Sequence, residues 1–72
     1  MNRSYARQVL RTGGVILLWD SAVRKKGGRY HIVRQSDWGT VKVFNSFQSL
    51  WNEWGLSIEE SGREREEQQR VG

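Results

Sequence analysis

Apolar residues change their spacing three times along this chain, and each change predicts a different element. Tyr5, Ala6, Val9 and Leu10 give one loose apolar side. Asn2 or Ser4 can cap it and Gly13-Gly14 stops it, so residues 1–13 read as a short basic helix or an ordered arm. Val15-Ile16-Leu17-Leu18-Trp19 is continuous and partly β-branched, which favours a strand covered on both faces and running on to Val23. Arg24-Lys25-Lys26-Gly27-Gly28 then reads as a hairpin loop.

Alternation follows. In Arg29–Arg34, Tyr30, Ile32 and Arg34 share one strand face, and Arg29, His31 and Val33 the other. Ser36-Asp37-Trp38-Gly39 is a second turn, in which Gly39 is expected to take the left-handed conformation and start a bulge. Thr40 to Phe44 is a third strand, with Val41 and Val43 together and Lys42 opposite. Phe47, Leu50, Trp51 and Trp54 then fall at i, i+3, i+4 and i+7, the stripe of an amphipathic helix. Asn45 or Ser46 caps it, Gln48 stands at capping-box spacing from Asn45, and Gly55 closes it with Leu56 just beyond.

The predicted fold class is α+β: a three-stranded antiparallel β-meander with one C-terminal amphipathic helix packed on one face. The N-terminal segment lies over the other face or along an edge. The domain spans residues 14–58. Residues 59–72 hold nothing apolar before Val71 and read as a frayed helix or disordered tail, with Glu59/Arg63 and Glu66/Arg70 in favourable i,i+4 order.

Size sharpens this picture. A core in 72 residues rarely supplies more than about 3–5 kcal/mol without a staple. There is no cysteine, so stability rests on packing, and four Trp, two Tyr and two Phe are the material for it. Trp51 and Trp54 are assigned to the core by spacing and Trp19 by its apolar run; a homodimer would serve the same end. Arg3, Arg7 and Arg11 interrupt the first dozen residues and the longest apolar run is five, so no signal or membrane segment is expected and the protein reads as soluble and cytoplasmic.

Charge is distributed unevenly. Residues 1–42 hold nine Lys/Arg against two Asp, and residues 43–72 hold three Arg against six Glu. That asymmetry suggests a polyanion-binding face with an acidic appendage. The candidate binding set is Arg24, Lys25, Lys26 and Arg29 at the hairpin, Arg34 and Lys42 on neighbouring strands, and Arg7 and Arg11 on the N-terminal basic stripe. Trp38 joins it, because a turn sits on the surface and an indole there can stack on a base, anchor a partner, or fold back over the sheet.

Catalytic chemistry finds little support. His31 is the single histidine, no Gly-x-Ser-x-Gly turn is present, and Asp20, Asp37 and Glu53 lack paired spacing. The glycine pairs lack the phosphate-loop pattern, and no His/Cys/Asp cluster suits a metal. No enzyme activity, cofactor or metal is expected.

The order strand, basic turn, strand, Trp38-Gly39 turn, strand, then Phe44-Asn45-Ser46-Phe47 entering a helix resembles small phage-encoded β-β-β-α proteins. These are the AP2-like arm-type DNA-binding domains of phage integrases and the small anti-CRISPR proteins. The likeness covers about residues 15–55 and implies one of two partners: nucleic acid, with the sheet entering a major groove, or a host defence protein that the chain inhibits. A structural homo-oligomer subunit is the third expectation.

Overall fold

Both helices lie on the same face of an antiparallel sheet, in a computed structural model that describes residues 1–65. The elements are α1 (Arg3–Arg11), β1 (Ile16–Leu17), β2 (Ser21–Lys26), β3 (Arg29–Arg34), β4 (Thr40–Phe44), α2 (Phe47–Ser61) and β5 (Arg63–Glu64). Sheet order is β4-β3-β2-β1-β5. The fold is therefore α+β, with a meander of β2, β3 and β4 forming one side of a five-stranded sheet and the C-terminal helix on one face.

Strand register explains where the core sits. Ile16, Val23 and Ile32 are side-by-side partners, and Tyr30 and Phe44 share their face. These meet Ala6, Val9 and Leu10 of α1 and Phe47, Leu50 and Ile58 of α2 in one apolar cluster. Burying each large side chain there contributes about 1.5–3 kcal/mol. The expectation that the N-terminal segment covers the opposite face or an edge is corrected: α1 packs beside α2. Its stripe needs apolar surface, and the helix side of β1 and β2 offers Ile16 and Val23, whereas the opposite face alternates into charge.

Capping follows local chemistry. The Asn2 side chain accepts from the Tyr5 N–H at 2.8 Å, and Ser46 accepts from the Ser49 N–H at 3.2 Å. With Ser46 as cap, Gln48 makes no capping box; its amide bonds Asn52 and accepts from Arg3. At the β2–β3 hairpin, Gly27 (φ 60°) and Gly28 (φ 80°) both take positive φ, as a two-residue type I′ turn requires. The loop is thus the two glycines alone, and Arg24, Lys25 and Lys26 belong to β2.

Three further expectations change. The run from Val15 toward Val23 is two strands, because Ile16 pairs with Val23 and Leu17 with Ala22 across a turn at Trp19-Asp20. Gln35 clamps that turn: its side-chain amide donates to the Leu18 and Ser21 carbonyls at 3.0 and 2.8 Å, and its backbone N–H to Asp20 O at 3.0 Å. Trp19 is consequently outside the core and 91% exposed. Next, α2 continues through Gly55, which is buried beneath Trp51; an added Cβ would stand 2.8 Å from the indole ring. The extra turn carries Ile58 into the core.

Finally, residues 59–61 complete α2 and residues 63–64 form β5, so this part of the expected tail is ordered. Gly62 makes that turn: a Cβ there would come 2.5 Å from the Ile58 carbonyl oxygen and 3.1 Å from Ile16. The Glu59/Arg63 helix pair is not formed, since Arg63 has left the helix for β5. The Glu66/Arg70 pair lies outside the described residues. No described helix is long and apolar enough to cross a membrane.

Candidate functional site

With both helices on one side, alternation assigns the other side of the sheet to Leu17, Ala22, Arg24, Lys26, Arg29, His31, Val33, Val43 and Arg63. Arg65 follows in the same alternation, and its N–H still donates to Val15 O at 2.9 Å. Five of these side chains are cationic and none is a carboxylate. Glu64, between Arg63 and Arg65, faces the helix side, where it accepts the Tyr5 hydroxyl. Among the described residues, Arg24, Lys26, Arg29 and Arg63 form no ion pair.

The arrangement is locally unfavourable. Lys26 and Arg29 are direct cross-strand partners. Like charges placed so are destabilising, on the scale of the roughly 0.2–1 kcal/mol that opposite charges contribute there. Arg24 is half-buried, and its Nε is enclosed without a hydrogen-bond partner among the described residues. A hollow of about 300 Å³, lined by Gly13, Val15, Arg24, Lys25 and Lys26, opens at this end of the sheet. Among the described residues, Arg24, Lys26, Arg29 and Arg63 concentrate positive charge that no ion pair offsets.

The remaining members of the sequence-derived set lie elsewhere. Lys25 is on the helix side, its Nζ 5.5 Å from the Tyr30 ring. Arg7 sits over Phe47 at 5.8 Å, and Arg11 is exposed in the last turn of α1, where a cation suits the helix dipole. Lys42, in register with Ile32, pairs with Glu53 of α2 at 3.1 Å. Arg34 pairs with Asp37 at 3.1 Å. That guanidinium and the Gly39 N–H hold the Asp37 carboxyl below its ordinary range, and Asp37 in turn raises Arg34. The expectation of one surface combining all these cations is corrected: the pleat divides them between two sides, and acidic partners occupy Arg34 and Lys42.

Trp38 is held differently from the expectation. It takes the left-handed conformation itself (φ 60°), and Gly39 does not. The turn is closed by Trp38 N–H to Arg34 O at 2.7 Å and by Arg34 N–H to Gly39 O at 2.9 Å. The indole is 42% exposed, and the Arg65 guanidinium lies 5.6 Å from its ring centre. Since the helix side is filled, a contact between the β3–β4 turn and a residue beyond β5 crosses the open face. On that face Ala22 and Val33 are 0% and 1% exposed. Trp38 is thus the fold-back case among the three possible roles. Positive φ at a non-glycine residue costs about 1–3 kcal/mol. Trp38→Gly relieves that strain while deleting the ring, so it is expected to lower thermal stability less than Trp38→Ala, measured by circular dichroism melts of both variants.

Sequence reasoning missed Arg63, Arg65 and Trp19. The signal for the first two was Gly62 followed by Arg-Glu-Arg, a period-2 pattern hidden in a charge-rich stretch. Among the described residues, no three His, Asp or Glu side chains gather as a metal site requires. Comparison with protein-family models, curated proteins and solved structures finds no match.

Proposed function

We propose that this chain is a non-enzymatic nucleic-acid-binding module whose open sheet face holds the phosphate backbone. One observation carries the reading: Arg24, Lys26, Arg29, Arg63 and Arg65 share a face on which no carboxylate stands among the described residues and that neither helix covers. Each phosphate neutralised by such a group releases condensed counterions, and that entropy drives association. The paired like charges at Lys26 and Arg29 become an asset once a polyanion lies across them. A narrow ribbon with a basic tip also suits the major groove, the mode implied by the integrase-arm likeness.

Fluorescence anisotropy with labelled duplex and single-stranded oligonucleotides, repeated across salt concentrations, tests the reading. About four phosphate contacts give a log–log slope near −3 to −4. No binding at low salt, or an affinity indifferent to salt, removes it. The rival reading, an inhibitor docked on a host defence protein, draws support from the exposed Trp19. Capture from lysate that survives nuclease treatment and leaves no nucleic acid bound favours that rival.

A further inference from the structure

Trp19 is the most exposed large apolar side chain of the described residues, and it sits on one of the best-held turns. An indole with 91% of its surface in water forgoes the burial that its size would reward. Gln35 supplies three hydrogen bonds to this one turn, and Leu18 N–H adds a fourth to Ser21 O at 2.8 Å. The ring is therefore presented from a rigid base, which lowers the ordering cost of any contact it makes. Core packing does not explain such an arrangement.

Its neighbours define the ligand. On one side Trp19 borders a hollow of about 380 Å³ with Leu18, Ser61 and Arg63, the last a member of the basic face. On the other it borders a hollow of about 510 Å³ with Asp20, Ser21, Arg34, Gln35, Ser36 and Val41. This second rim sets the apolar Val41 among polar and charged groups. Asp20, whose carboxylate accepts from Ser21 Oγ at 3.2 Å, disfavours phosphate on that side. A backbone is left to approach along Arg63. A flat ring on a tight turn, with a cation beside it, suits one unstacked base whose phosphate meets that cation. Bases inside a duplex are already stacked and offer it no face.

We infer that Trp19 is a base-stacking anchor, and that the preferred ligand is single-stranded nucleic acid crossing from the basic face past Arg63 to this ring. The inference rests on the proposed function and narrows it. Binding of wild type, Trp19→Ala and Trp19→Phe is compared on an oligothymidine and on an abasic oligonucleotide of equal length. Trp19→Ala is expected to weaken oligothymidine binding roughly ten- to hundredfold, leave the abasic strand and the salt slope unchanged, and be largely rescued by Trp19→Phe. Equal losses on both strands, or no loss on either, overturn the inference while leaving the phosphate-binding face intact. Unchanged oligonucleotide affinity together with reduced self-association in sedimentation also overturns it, making Trp19 a protein contact. Failure of the wild type to bind either strand overturns this inference, and failure to bind duplex as well overturns the function it narrows.

Discussion

Lys26→Glu combined with Arg29→Glu should weaken nucleic-acid binding by about a hundredfold or more at moderate salt, through two lost counterion-releasing contacts and two new repulsions. Both side chains are exposed at the hairpin tip, so the core is untouched. The single substitution Lys26→Glu is the sharper test. It sets opposite charges across a directly paired position, and so is expected to raise stability by about 0.2–1 kcal/mol while binding falls. A melting temperature that rises as affinity drops would separate a ligand-facing charge from a structural one. If Lys26→Glu leaves affinity unchanged, the hairpin tip is not where phosphates sit.

Leu50→Ala should unfold the protein or come close to it. Leu50 is fully buried where α2 faces the sheet, and truncating such a side chain costs about 2–5 kcal/mol. A core this small rarely supplies more than about 3–5 kcal/mol in total. The loss thus matches the whole margin, and Leu50→Ala is expected to show a broad low-temperature transition or none by circular dichroism. Leu50→Met, which keeps volume, should retain a cooperative melt. A cooperative Leu50→Ala melt within a few degrees of wild type would mean that the α2–sheet contact is not the core.

Much of the fold was legible because each periodicity had one reading. Phe47, Leu50, Trp51 and Trp54 demand a helix, and the alternation through Tyr30-His31-Ile32-Val33 demands a strand with two unlike faces. What was not legible depended on single contacts between distant residues. The break at Trp19-Asp20 is imposed by Gln35, a residue 14–17 positions away whose amide binds two carbonyls. Gly55 looks like a helix stop, yet here it makes room for the Trp51 ring, which stacks on Phe47 with centroids 5.7 Å apart.

The candidate site was half legible. Arg24, Lys26 and Arg29 were named and do share a surface, but Lys25 was bound to fall on the opposite side once Arg24–Lys26 became strand rather than loop. The partners of Arg34 and Lys42, Asp37 and Glu53, were in view in the sequence; only the close approach of β4 to α2 shows that Lys42 and Glu53 meet.

β5 has a consequence of its own. It is two residues long and solvent-exposed, held through Ile16 and Leu17 and through the Tyr5 hydroxyl on Glu64, yet it delivers Arg63 and Arg65. Segments so lightly attached open well below the free energy of global unfolding. Any anion that bridges those arginines to Arg24 therefore also fastens the strand, so occupancy and local order rise together. Slowed amide exchange at Arg65 would report the ligand before any change in the core.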